Sequence, residues 1–154
     1  MMKFILSIIV SAMATGLNAE TLSLPPIQIE IQDGWEYSVE QQPGDNSRSI
    51  ISLRDPNGAG ITRIGSYDAP TVVTRDILRT MTNVESSTPL AWQDWGDFSG
   101  YQYDYLEGDA FLRQWWLTNE TIIIFITYQC DPASRDIETE QIDTVVRSIE
   151  TTSE

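Results

Sequence analysis

The sequence predicts one α+β domain: an antiparallel sheet of about seven or eight strands in the order ββββ-α-ββββ-α, with the helices packed on the sheet. Three observations predict it. Apolar and polar residues alternate through a series of short stretches, the period of half-buried strands. The breaks between those stretches are short and rich in Gly, Pro, Asn and Asp, so neighbours must pair antiparallel. In two places the apolar spacing changes to three and four residues, the period of an amphipathic helix.

Ile27, Ile29 and Ile31 alternate with Gln28, Glu30 and Gln32, giving a first strand that ends at the turn Asp33-Gly34. Trp35, Tyr37 and Val39 keep the period until Pro43-Gly44-Asp45-Asn46 breaks it. Ile50 to Leu53 is the third strand, Arg54-Asp55-Pro56-Asn57-Gly58 turns it back, and Ile61 to Ser66 is the fourth. These four are expected to form a meander.

Val73, Ile77, Met81 and Val84, with Leu78 widening the stripe, predict a helix from Pro70 to about Asn83, with Asp68 and Thr71 as candidate caps. Strand period resumes over Trp92 to Phe98, Tyr101 to Glu107, Ala110 to Leu117 and Thr121 to Gln129. Ser99-Gly100, Glu107-Gly108-Asp109 and Thr118-Asn119-Glu120 have the composition of hairpin turns. A closing helix follows from Ile142, Val145, Val146 and Ile149 at i, i+3, i+4 and i+7. Pro132 suits its first turn, and Asp136, Glu138 and Glu140 suit its positive N-terminal end. Residues 150–154 read as a polar tail that frays.

Residues 1–19 have the layout of a secretory signal peptide: Lys3, an apolar run from Phe4 to Val10, then small residues up to Ala19. The expected product is residues 20–154, one domain, periplasmic or secreted, with no stable membrane anchor after cleavage. The formal net charge is −14, and losing Lys3 makes it −15 and removes the one lysine. So acidic a surface repels nucleic acid and anionic membrane and attracts basic proteins. The alternative reading is an acidity general to the exported proteins of an organism. The lone Cys130, at the end of an apolar strand, reads as a buried thiol with no internal disulfide partner.

The chain resembles the PsbP-like fold, shared by exported bacterial DcrB-type proteins, in Gly34-Trp35 after the first strand, Asp55-Pro56 in a hairpin turn, Tyr128 near the end of the last strand, and the closing run Ile142 to Ile149. Asp33 stands where a proline often precedes the Gly-Trp pair, and the lipid-bearing cysteine of DcrB-type lipoproteins is missing. The resemblance implies a non-catalytic binding or assembly module.

Histidine is absent, and lysine is absent after cleavage, so Ser-His-Asp, Cys-His and Schiff-base chemistry have no residues to run on, and a zinc site of ordinary type lacks ligands. No cofactor is implied. Carboxylate-pair glycan hydrolysis survives as an enzyme reading, with Asp94, Asp97, Asp104, Glu107 and Asp109 as candidates beside an aromatic floor. A calcium-responsive module is a third reading, since Asp55 to Gly60 resembles the start of a calcium loop, though without its distant glutamate.

In Gly100 to Glu107, Tyr101, Tyr103 and Tyr105 share one face and Gln102, Asp104 and Leu106 the other, with the tyrosines expected under a helix. Trp115 and Trp116 are strand neighbours and face opposite sides, so one is either covered by the second helix or left as an interface anchor. The leading expectation is an exported, non-catalytic module that binds a basic protein partner, with immunity-type inhibition of a basic toxin as its specific form. Trp92, Asp94, Trp95, Asp97, Asp104, Trp115 and Trp116 are the candidate partner-binding residues.

Overall fold

The structure, a computed structural model, describes residues 20–41 and 49–152. The predicted leader and the break at Pro43 to Asn46 lie outside the described residues. Within them the chain is an α+β fold, mostly antiparallel sheet. Ten strands form two sheets: β1 (Glu20–Leu24), β2 (Ile27–Ile31), β3 (Glu36–Gln41), β4 (Ser49–Arg54), β5 (Ile61–Asp68), β6 (Gln93–Trp95), β7 (Phe98–Glu107), β8 (Ala110–Thr118), β9 (Ile122–Cys130) and β10 (Glu150–Thr151). The larger sheet runs β3-β4-β5-β9-β8-β7-β6 and the smaller β1-β2-β10. Helix α1 (Arg75–Met81) and helix α2 (Thr139–Arg147) complete it.

The main core lies on one face of the large sheet. There Trp115, Leu117, Ile124, Ile126, Phe98 and Ile64 meet Ile142, Val145, Val146 and Ile149, the predicted stripe of α2, and Ile27, Ile29 and Ile31 of β2. A smaller cluster on the opposite face brings Val73 and Leu78 down onto Tyr101 and Ile123. The face selection on β7 and β8 follows strand alternation, so Trp115 is fully buried in the main core and Trp116 is half-buried on the α1 side.

Five expectations need correcting. β2 and β3 do not pair, although only a short turn at Gly34 joins them; β2 takes its partners from β1 and from β10. The expected fraying tail is therefore strand at Glu150–Thr151, with Thr152 N–H bonded to the Pro26 carbonyl.

Ser99-Gly100 is not a turn: β7 starts at Phe98, and the chain reverses at Gly96 (φ 68°) and Asp97, with Trp95 paired to Phe98. Gly100 is there because a Cβ would collide with the Trp116 carbonyl across the ladder.

Helix α1 is shorter than predicted. Ala69 and Val73 donate their N–H groups to Thr121 and Glu120, which ties 69–73 to the β8–β9 turn and keeps it out of the helix, and Thr74 rather than Asp68 or Thr71 caps the helix by accepting from Ile77 N–H. Leu78 carries the burial and Ile77 faces solvent.

The closing segment makes a single 3-10 turn at Pro132–Ser134 before α2 begins, and Glu138, expected to complement the helix dipole from outside, is buried.

The Glu138 carboxylate accepts from Tyr128 Oη at 2.7 Å, Gly60 N–H at 2.8 Å and Ala59 N–H at 3.2 Å. It thereby ties the start of α2 to β9 and to the Asp55–Gly60 loop. Removing an acceptor that serves one buried and two part-buried donors is costly, so Glu138→Ala is expected to destabilise the fold by about 3 kcal/mol and Glu138→Gln by less, read from urea unfolding. Burial, and then the bond to Glu138, push the Tyr128 phenol well above its ordinary value of 10.0. A raised folded pKa gives stability that is complete below about pH 10 and lost above it, as the unfolded chain releases a proton the folded chain retains. Stability is expected to fall above about pH 10, less steeply in Tyr128→Phe.

Candidate functional site

Strand β7 sorts the chemistry by face. Its partner rows on one face are Tyr101, Trp116 and Phe125, then Tyr103, Gln114 and Thr127, then Tyr105, Leu112 and Gln129. On the other face Asp104 stands opposite Arg113, which stands opposite Tyr128. The predicted split of tyrosines from Asp104 therefore holds.

Arg113 is the unforeseen residue of the second face, being charged and only 8% exposed. Its Nε donates to Asp104 Oδ1 at 2.8 Å and its Nη1 to Thr139 Oγ1 at 3.3 Å. Asp143 and Asp136 also act on it electrostatically. Burial favours losing its proton, but the bond to Asp104 and these carboxylates outweigh that and hold its pKa above the usual value. Asp143 is partly desolvated, and burial pushes its carboxyl up despite the attraction of Arg113 and Arg147. Asp104, Asp136 and Asp143 thus act on Arg113, while Arg135 pairs with Asp136 at 3.8 Å and Arg147 attracts Asp143, so acids and cations are interleaved at this end of α2.

The remaining candidates scatter. Trp95 is buried, meets Trp115 edge-on at 5.9 Å, and carries the Arg147 guanidinium 4.5 Å above its ring. Trp92 is half-buried, edge-on to Tyr101 at 5.2 Å, with Arg75 4.6 Å above it. Asp94 and Asp97 are exposed, Asp94 accepting from Ser99 Oγ at 2.7 Å. Asp94 pairs with Ser99 and so lies on the α1 face, whereas Asp104 lies on the α2 face. The sheet stands between these two carboxylates, so they cannot act on one glycosidic bond.

In the loop that resembles a calcium site, Asp55 Oδ1 accepts Asn57 N–H at 2.9 Å, the Asp55 carbonyl accepts Gly58 N–H at 2.9 Å, and the N–H groups of Ala59 and Gly60 go to Glu138. These bonds organise the loop around a carboxylate. Among the described residues no group of three or more His, Cys, Asp or Glu is placed to hold a metal ion. Cys130 is buried, and burial pushes its thiol up.

On the α1 face the helix is too short to cover the tyrosine row. Tyr101 lies beneath it and the Tyr103 hydroxyl reaches the Thr82 carbonyl at 2.9 Å, but Tyr105 stands clear. A cleft of about 600 Å³ opens there, with Tyr103, Tyr105, Gln114, Trp116 and Phe125 along its floor and the segment from Met81 to Leu90 as its wall. Sequence reading missed it because its wall is a loop without periodicity, whose one signal is the polar run Thr82-Asn83 before Ser86-Ser87-Thr88.

No protein-family model matches the chain, and no curated protein matches it. A crystal structure from Bacteroides thetaiotaomicron VPI-5482 superposes with a TM-score of 0.64 at 12% identity, over 90% of this chain and 50% of that one. The chain thus spans about half the length of that protein, and the likeness is one of fold.

Asp104→Ala strands a largely buried guanidinium and is expected to cost about 1–2 kcal/mol, against less than about 0.5 for Asp94→Asn, in chemical unfolding. The raised folded pKa of Asp143 means its ionisation weakens the fold as pH rises above its ordinary 3.8. Asp143→Asn is therefore expected to raise Tm at pH 7, with the gain vanishing in acid below both values.

Proposed function

We propose that this chain is an exported, non-catalytic module of PsbP-like fold that binds a basic protein partner. The observation that carries the reading is the charge excess, 23 acids against 9 basic residues, to which the α2 rim contributes Asp104, Asp136 and Asp143 around a nearly buried Arg113. Arg135 pairs with Asp136 and Arg147 attracts Asp143, so the sign comes from the surface as a whole. The overall charge of −14 extends the same sign over the rest of the surface, which speeds encounter with a cationic partner. The missing histidine and the separation of Asp94 from Asp104 by the sheet support binding over turnover.

A basic toxin acting in the same compartment fits this chemistry as a partner, and the reading places the protein in the periplasm or outside the cell. Trp116 and Trp92, half-buried on the other face, are secondary to it. Trp95 and Trp115 serve the core.

Affinity capture from the exported fraction tests the reading. Partner retention is expected at about 50 mM salt, loss by about 500 mM, and weakening in Asp136→Asn/Glu140→Gln, both exposed positions. Retention indifferent to salt and to the variant would overturn it. N-terminal sequencing is expected to find Glu20 first. Turnover of any glycan by the purified protein would remove the non-catalytic half of the proposal.

A further inference from the structure

The cleft beside α1 lies on the opposite face of the sheet from Arg113 and has a different character. Of the described residues that line it, Asp104 alone is charged, and its carboxylate is turned through the sheet onto Arg113. The others are aromatic, aliphatic, hydroxyl or amide groups. The volume of about 600 Å³ falls in the range typical of small-molecule clefts.

Its wall is built in place. Arg79, in the last turn of α1, donates from Nη1 to Thr82 Oγ1 at 3.0 Å and to the Val84 carbonyl at 2.9 Å. From Nη2 it donates to the carbonyls of Glu85 at 2.8 Å and Thr88 at 2.7 Å. One guanidinium therefore fixes the loop that closes the cleft, and its charge is consumed by backbone oxygens. Asn83, at φ 56°, takes the left-handed conformation that ends the helix and starts this loop.

The floor offers flat apolar rings and a neutral polar chain. The Tyr103 and Tyr105 rings are close to parallel, at 27° and 6.1 Å between centroids, and Trp116 lies against Phe125 at 4.4 Å. Tyr103 and Tyr105 stack on one another, so their inner faces are turned together and the Tyr105 ring, at the uncovered end of the row, is the one left for a flat apolar ligand face.

Gln114 joins the two phenols, its amide atoms 2.6 Å from each hydroxyl, and the Tyr103 hydroxyl is also 2.9 Å from the Thr82 carbonyl. One phenol proton cannot serve both Gln114 Oε1 and Thr82 O. Exchanging the amide oxygen and nitrogen resolves the conflict: Tyr105 donates to Gln114, Gln114 to Tyr103, and Tyr103 to Thr82. A second Gln114 N–H and the lone pairs of Tyr105 remain for a ligand.

We infer that this cleft binds a neutral carbohydrate, with a pyranose face stacked on Tyr105 and its hydroxyls bonded to Gln114 and Tyr105. A ligand of this kind has an apolar ring face and uncharged donors and acceptors at its edge, which matches a cleft whose free polar groups are amide, phenol, hydroxyl and the unpartnered Trp116 indole N–H. Anions find no free cation there and meet the negative field of the whole molecule. This site is independent of the protein-binding reading.

The test titrates the full mature chain with cellohexaose, xylohexaose, maltohexaose and chitohexaose, up to about 10 mM, by amide NMR and calorimetry. At least one sugar is expected to shift the Tyr103, Tyr105 and Gln114 signals with a Kd at or below about 1 mM, unchanged between low and high salt. Tyr105→Ala, an exposed-edge substitution checked for an unaltered Tm, is expected to weaken it about tenfold or more, and Tyr105→Phe by less. Arg79→Met is expected to weaken it through the wall, restored in part by Arg79→Lys.

If none of the four sugars shifts these signals, or if binding persists undiminished in Tyr105→Ala, the inference is overturned. Sugar binding that survives in Asp136→Asn/Glu140→Gln supports it and separates its outcome from that of the protein-partner proposal.

Discussion

The buried carboxylate of Glu138 is the constraint on which the architecture turns. It gathers donors from Tyr128 and from the backbone of Ala59 and Gly60, 78 and 79 residues away for the two amides. A charge taken out of water is tolerated only when its lone pairs are filled, so once Glu138 is inside, the loop and the phenol must meet it. That fixes the β4–β5 hairpin against the end of β9 and sets where α2 starts. From there Ile142, Val145, Val146 and Ile149 are delivered onto the sheet, and Glu150 and Thr151 reach β2. The small sheet is closed at the far end of the same helix, where Glu150 and Thr151 pair with Gln28 and Ile27.

With α2 set, the two faces of the large sheet acquire different tasks. On its side the face is filled by isoleucine and tryptophan, and the charged residues Asp104 and Arg113 gather at the rim by the helix start. On the other side a helix of only seven residues covers a single cross-strand row, and the rest of the face is left as ring and amide surface. Strand alternation carries this division: three consecutive residues of β7, Tyr103, Asp104 and Tyr105, belong to two surfaces of opposite character. A stretch that looks in the sequence like one acidic and aromatic patch is two.

Much of the local structure could be read from periodicity. The β2 isoleucines, the α2 stripe and the opposed faces of Trp115 and Trp116 are all repeats of 2 or 3.6 residues, and burial enforces them. What escaped was set by partners distant in the chain. β1 and β10 are strands because β2 offers them an edge on each side, and their own sequences carry only a weak alternation.

Gly100 looked like a turn because glycine has that use locally, yet its reason is the Trp116 carbonyl across the ladder. Glu138 has the place of a charge that complements a helix dipole and Arg113 carries no signal in the sequence, because neither announces its buried partner by spacing. The cleft was illegible for the same reason, being assembled from a non-periodic wall and a floor shared by three strands. The tyrosine row was read as covered because a helix of the predicted length would have covered it.

The two charged centres also explain how so acidic a chain can keep an uncharged cleft. Arg79 spends its cation on four backbone and hydroxyl oxygens, and Arg113 spends its cation on Asp104. Each arginine is used inside the fold, so neither appears as a positive site on the surface. Other acids pair only at the surface, Glu36 with Arg54 and Asp136 with Arg135, and most face water. The net charge makes the field negative at long range, while the α1 cleft presents neutral groups at contact range. Long-range potential selects what approaches, and short-range chemistry selects what stays. A neutral ligand is indifferent to the first and depends wholly on the second. The α1 cleft and the α2 rim therefore need not compete, since the field that draws a cation to one does nothing to a sugar at the other.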